Sequence, residues 1–357
     1  MQKSTQLILI LFALSALLLS SCTGADRLTA SSWPGVTVTE SAVYIAFGQH
    51  VYALNAADGR ELWRFPDEPE NSQTFFAAPA LANEETQLIA GAYDSSLYSL
   101  DAESGELSWS FAEASNRYIA DVLVTNGGIF AANANGGVYA LDFTGKPLWD
   151  ERYSTGEPIW AAPGVDGGIL YVASLDHNLH AVDMETGAQI WTRDLGTTSA
   201  GTPVIVDGVL YTGTFGSRIF ALDANTGSEL WAFETQDWVF ASVAVSGGVV
   251  YAGDISGLLY AIDAVTGTEL WRFEAEGGIY GGPLVIDGTV HFGTDTGQFY
   301  ALTDSGEIDW FHTVAGKVYS PPSYNGEYIF IAAIEGDVLL TALDINGTAR
   351  WPFTPED

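Results

Sequence analysis

The 357-residue sequence has one cysteine, three lysines, and no internal stretch with a sustained helical period. A lone cysteine, Cys22, excludes an internal disulfide, so the fold has to be held by a packed core. Lys and Arg together number 12 against 45 Asp and Glu, a formal charge of −33. Phosphate backbones and anionic headgroups are bound by clustered cations, and this chain has none to offer, so nucleic acid is excluded as a partner. The five histidines are scattered. His177 and His180 are close, but an i, i+3 pair on a strand points to opposite faces, which is poor metal geometry. Gly-x-Ser-x-Gly is missing, and so is a glycine-rich phosphate loop opening a helix. Asp-rich turns such as 294–297 lack the alternating oxygen ligands of a calcium loop and read as turn caps. Long apolar runs are also scarce, and the one at Leu7–Leu19 is short for a membrane span.

What the chain does have is a repeat. The stretch 220–231, Phe-Ala-Leu-Asp-Ala-Asn-Thr-Gly-Ser-Glu-Leu-Trp, recurs eight times. The copies close on Trp63, Trp109, Trp149, Trp191, Trp231, Trp271, Trp310 and Trp351, at spacings of 46, 40, 42, 40, 40, 39 and 41. A fixed period near forty, in β-branched and aromatic residues punctuated by 39 glycines, indicates repeats that bury their faces against their neighbours. In the fifth unit four strands are expected at 202–206, 209–214, 217–223 and 228–233, joined by turns of hairpin length. Eight such meanders set radially make an all-β, eight-bladed β-propeller of four-stranded antiparallel blades, spanning 33–357.

Within the motif, Asp223 can accept turn amides and Gly227 can supply a positive φ. Asp101, Asp142, Asp183, Asp263 and Asp344 match Asp223, Asn55 substitutes, and Thr303 departs. The eight tryptophans are expected to form an inter-blade belt, with the small residue two before each Asp leaving room for the indole. The first unit starts on an inner strand and the eighth ends on an outer one. No strand is therefore shared between the ends, unless 26–32 adds an edge strand to the last blade.

Residues 1–21 read as a secretory signal, with Lys3 ahead of an apolar run and small residues after it. Leu19-Ser20-Ser21-Cys22 resembles a bacterial lipobox, which implies lipid on the Cys22 thiol, cleavage before it, and 22–32 as a tether. The alternative is an ordinary signal peptide ending near a free thiol. The lipobox implies an exported protein on the outer face of the cytoplasmic membrane or on the outer membrane facing the periplasm.

The pattern Tyr-Ala-Leu-Asp-Ala-x-x-Gly-x-x-Leu-Trp is similar to the repeat of pyrroloquinoline quinone (PQQ) dehydrogenase propellers and of their non-catalytic, BamB-like relatives in outer-membrane assembly. The resemblance covers 33–353. For the enzymes it implies a quinone held between a Trp and a vicinal cysteine disulfide, with calcium on Glu, Asn and Asp. A chain with one cysteine cannot build that disulfide. The lipobox and the shortage of long insertions resemble the scaffold branch. The expectation is therefore a monomeric, membrane-anchored, non-catalytic scaffold for envelope proteins, without cofactor or metal. A quinone-dependent dehydrogenase with calcium, or a glycan or small-ligand binder, are the alternatives. The extension at 66–73 reads as a solvated acidic loop.

One further register stands out. Three residues before the Pro, or its equivalent, that opens each first strand lie Phe76, Tyr118, Trp160, Phe240, Tyr280 and Tyr319, with Ser31 and Ala200 as the exceptions. Equivalent positions in a propeller share one height, so these aromatics are expected to ring the axis. There they either seal the inner core or form a binding funnel.

Overall fold

The computed structural model describes residues 33–69 and 73–356. Signal segment, Cys22 and tether lie outside them. The described chain contains thirty-two strands and no helix, in eight four-stranded sheets. Every sheet is a meander of consecutive antiparallel strands. The blades occupy 35–65, 80–111, 123–154, 164–194, 204–234, 244–274, 284–313 and 323–353.

The burial pattern explains why these segments are strands. The two middle strands of a blade are apolar on both faces: Gly128–Ala132 and Gly137–Leu141 are buried throughout. Each blade lies between two others, so alternation is lost where both faces are covered. It returns on the outermost strand, where Glu269–Glu274 alternates between half-buried and exposed. In the fifth blade the strands are Val204–Val206, Val209–Thr214, Arg218–Asp223 and Glu229–Glu234, within two residues of the expected bounds.

The tryptophan belt is present in full. Each indole N–H donates to a backbone carbonyl in the next blade's third turn, at 2.8 to 3.2 Å; Trp231 reaches Ala264 at 3.0 Å. The glycine of that same turn lies flat against the ring. Its φ is between +67 and +83° in all eight turns, and a Cβ would fall 2.3 to 2.9 Å from the indole. Glycine is thus required twice over, for its conformation and for its lack of a side chain. The aspartate completes the turn: Asp223 Oδ1 accepts the N–H groups of Asn225 and Thr226 at 3.1 and 2.9 Å. In seven blades a register shift between the third and fourth strands sets the tryptophan across the seam.

Among the described residues the ring closes by packing, with no strand shared between the first and last blades; 26–32, the candidate edge strand, lies outside them. Trp351 donates to Ala56 across the first and last blades at 3.0 Å, as at every other seam. Ser320 and Ser323 donate to the carbonyls of Pro34 and Val36 at 2.7 and 2.9 Å. Val43 and Ile45 of the first blade share a core with Phe330 and Leu340 of the last.

Blade 3 departs from the expected pattern. Its fourth strand is not the segment carrying Trp149 but Tyr153–Ser154, which pairs with Gly137 and Val138. Pro147 supplies no N–H, and Asp150-Glu151-Arg152 stands where most other blades have one residue between Trp and aromatic. Val138 pairs with Tyr153 as Ile219 pairs with Phe233, so two residues have been inserted after Trp149 and bulge outward.

Candidate functional site

The first strands converge on the axis, and the residues just before them form the candidate site. Trp33 shows where the axis lies. It comes from the entry to blade 1, yet its ring centroid is 5.0 Å from Phe240 of blade 6, 6.0 Å from Tyr280 of blade 7 and 5.0 Å from Tyr319 of blade 8. Contact across three blades is possible only through the centre. Phe240 is 6.0 Å from Tyr280, and Tyr280 is 4.9 Å from Tyr319, edge to face. Phe76 lies on the other side, against Phe47 and Tyr93. Phe76, Trp160, Phe240, Tyr280 and Tyr319 are all half-buried, which fits a rim more than a sealed core.

Two positions differ from the sequence expectation, both by register. Tyr118 is not on the ring. It is fully buried between blades 2 and 3, and its N–H donates to Ala92 at 3.0 Å. Val239, Ile279 and Val318 make the same bond to the preceding blade at 3.0 to 3.1 Å. Those residues each precede a ring residue by one, so the ring residue of blade 3 is Ile119. In blade 1, Thr37 pairs with Tyr44 as Val204 pairs with Tyr211, which makes Val36 equivalent to Pro203. Trp33 is then the counterpart of Ala200. Ser31, outside the described residues, is not the ring position. Counting from the hairpin register, and not from Pro34, would have found Trp33.

Sequence reasoning also missed the loops that extend this face. Phe215, between the second and third strands of blade 5, stacks on Phe240 at 5.3 Å and 28°. Trp238 stacks on Phe215 at 5.2 Å and 17°, and is 47 % exposed. A continuous aromatic ladder thus runs from the axis to solvent. On the opposite side Arg117 lies 5.1 Å above the Tyr93 ring. These loop residues do not repeat, so no periodicity announces them.

Two residues after each ring position, and just ahead of the first strands, stand Ala78, Asp121, Ala162, Thr202 and Ser242. Asp121 is the charged one. Its Oδ1 accepts the Ala78 N–H at 2.6 Å, and enclosure by protein pushes its carboxyl up to about 6, although water reaches the side chain. Burial likewise raises the Tyr280 and Tyr319 phenols, with Asp295 adding to both.

The histidines take structural places. His180 stands where five other blades have Tyr, its Nε2 3.0 Å from Asp176 and its Nδ1 2.9 Å from the Tyr153 hydroxyl. Tyr98 and Tyr139 contact Asp94 and Asn135 in the same way. His291 is wholly buried between Phe299 and Trp310; its nitrogens find no hydrogen-bonding partner of normal geometry. Among the described residues no group of three or more His, Cys, Asp or Glu side chains could hold a metal ion.

The family described as outer membrane protein assembly factor BamB matches the chain at 22–156, 134–254, 216–303 and 256–356. A curated relative, the outer membrane protein assembly factor BamB of Yersinia pestis, is 28 % identical over 183 residues. That alignment takes in 46 % of this chain and 44 % of the relative, so the match spans less than half of the relative's length. The crystal structure of BamB from Moraxella catarrhalis superposes with a TM-score of 0.74 at 19 % identity, covering 86 % of this chain and 95 % of that one. A quinohemoprotein alcohol dehydrogenase from Pseudomonas putida HK5 gives 0.71 at 17 %, covering 92 % and 78 %. At such identities the structural likenesses speak for the fold alone. The family match, by contrast, runs through all eight blades, and the chain belongs to the outer membrane protein assembly factor BamB family.

Proposed function

We propose that the chain is a non-catalytic scaffold of the cell envelope, anchored by lipid at Cys22, which holds components of outer-membrane protein assembly together. The observation that carries this reading is the family match from residue 22 to 356. The repeated polar and aromatic residues are consumed in building the propeller, as turn acceptors, positive-φ glycines and seam tryptophans, which leaves the non-repeating face at the axis as the working surface. Its half-buried aromatics suit an apolar or aromatic loop of a partner protein, with Trp238 as the outermost anchor.

The residues present do not fit a resident quinone and calcium of the kind the dehydrogenase resemblance implies. A vicinal disulfide is impossible, and among the described residues no group of three or more His, Cys, Asp or Glu side chains could hold a metal ion. Reconstitution with quinone and calcium, followed by dye reduction, discriminates the two readings; turnover would replace the scaffold with an enzyme. The scaffold itself is tested by capture from solubilised envelopes. The propeller should retain a β-barrel assembly protein, and Cys22→Ser should move the protein out of the membrane fraction. Retention of no envelope protein would refute the reading.

A further inference from the structure

Blade 7 leaves an opening in the axial face. Its entry segment carries Gly278 two residues before Tyr280, where blade 6 has Trp238 and blade 8 has Lys317. The three positions are equivalent, because each carbonyl accepts an N–H from the loop between its blade's second and third strands. Ile255 donates to Trp238, Asp295 to Gly278 and Ile334 to Lys317, all at 3.0 Å. A Cβ on Gly278 would stand 3.0 Å from Cε2 of Tyr280. Without it, that side of the ring is free of its own segment. The side chains to either side are engaged elsewhere: Trp238 stacks on Phe215 of blade 5, and Lys317 pairs with Glu335 of its own blade at 2.6 Å.

The opening has an aromatic floor and acidic sides. Tyr280 is half-buried, with Trp33, Phe240 and Tyr319 packed around it at 4.9 to 6.0 Å. Asp237 comes from the entry to blade 6 and Asp295 from the loop of blade 7. Each uses Oδ1 to accept a backbone N–H at 2.8 Å, from Trp238 and from Gly278 respectively. Neither takes part in the seven salt bridges found among the described residues. Burial raises the Tyr280 phenol first; Asp295, Tyr319 and Asp237 add to it and Lys317 opposes, so both carboxylates act on this ring. The chain's own guanidinium groups lie over Tyr52, Tyr93, Tyr139 and Tyr260, and among the described residues none lies over Tyr280.

An electron-rich ring between two carboxylates calls for a cation. An ammonium presents three donors in separate directions, whereas the flat guanidinium fork suits a single carboxylate. We propose that the opening receives a lysine side chain of a protein partner, its ammonium on Tyr280 and between Asp237 and Asp295. A formal charge of −33 favours a basic partner. That this partner is an envelope assembly protein rests on the scaffold reading; the chemistry of the opening does not.

The test is a titration of the whole propeller, labelled with fluorotyrosine, with the blocked tripeptide acetyl-Gly-Lys-Gly-amide. Fluorine NMR follows the Tyr280 resonance, identified as the one missing from Tyr280→Phe. A saturable shift is expected with the lysine peptide and none with its Nε-acetylated counterpart. Asp237→Asn with Asp295→Asn keeps an oxygen for each backbone N–H and should lower the affinity roughly tenfold or more at an unchanged melting temperature. Should that pair not fold, Asp237→Asn alone takes its place, with a loss of roughly threefold expected. No shift, an equal shift with the acetylated peptide, or an affinity untouched by these changes would overturn the proposal. A shift without capture of an assembly protein keeps the lysine site and removes that class of partner, while capture without a shift does the reverse.

Discussion

The seam between blades 5 and 6 lends itself to a double-mutant cycle. Trp231 is 9 % exposed, and its removal to Ala should cost about 3–5 kcal/mol, the range for emptying an aromatic core site. Gly267, whose φ is +70°, presents its missing Cβ 2.7 Å from two indole carbons. Gly267→Ala therefore carries two costs: roughly 1–2 kcal/mol for left-handed backbone and about 1–3 kcal/mol for the overpacked contact. In the Trp231→Ala background the second cost disappears because there is no ring to collide with. The two changes together should be less damaging than their sum by about 1–3 kcal/mol. Gly208 is the control, with a φ of +77° and nothing within 4 Å of its missing Cβ. Gly208→Ala should cost only the backbone term and should add to Trp231→Ala. The readout is urea unfolding by far-UV circular dichroism, because fluorescence changes when a tryptophan is removed. Additivity of Gly267→Ala and Trp231→Ala within about 0.5 kcal/mol would refute the wedge of ring against turn.

Two titrations give opposite pH slopes. Burial lowers His291 from 6.5 to about 4, only partly offset by backbone groups of Leu284 and Thr289. The unfolded chain then takes up the proton first, so this residue costs stability as pH falls from 6.5 towards 4. The full effect is up to about 3 kcal/mol, and His291→Phe, the residue at the matching Phe330, should abolish it in melts across that range. Asp121 runs the other way. Its carboxyl is raised from 3.8 to about 6, so stability drops as pH climbs between those values, and Asp121→Asn should remove that fall. At the axial face, Trp160, Tyr280 and Tyr319 changed together to Ser should leave the melting temperature within a few degrees if they form a binding rim, and should weaken partner capture at least tenfold. Unfolding of that variant would assign them to the core instead.

The parts of the fold that repeat were the parts legible in the sequence. The motif names the turn acceptor, the glycine and the tryptophan, and each repeats its geometry at every seam because each blade meets an equivalent neighbour. Register within a repeat was harder to read. Pro34 resembles the Pro that opens other first strands, but the pairing of Thr37 with Tyr44 puts Val36 there, which brings Trp33 to the axis. Blade 3 lacks that Pro altogether, and Tyr118, an aromatic beside Ile119, was one residue out. The 42-residue spacing after Trp149 recorded an insertion without showing where it would bulge. Pro147 and the run Asp150-Glu151-Arg152 were the local signals that a continuous strand would fail there. Phe215 and Trp238 carried no signal, because loop aromatics gain their meaning from the neighbours that folding supplies.

The most direct test of the scaffold assignment is the affinity between the purified propeller, residues 23–357, and the purified periplasmic domain of a β-barrel assembly protein from the same cell, measured by isothermal titration calorimetry without quinone or calcium. A saturable complex of one propeller to one domain is expected, weakened by changes at the axial aromatics. No heat of binding at concentrations well above those of the envelope, together with quinone-dependent dye reduction by the same preparation, would contradict it.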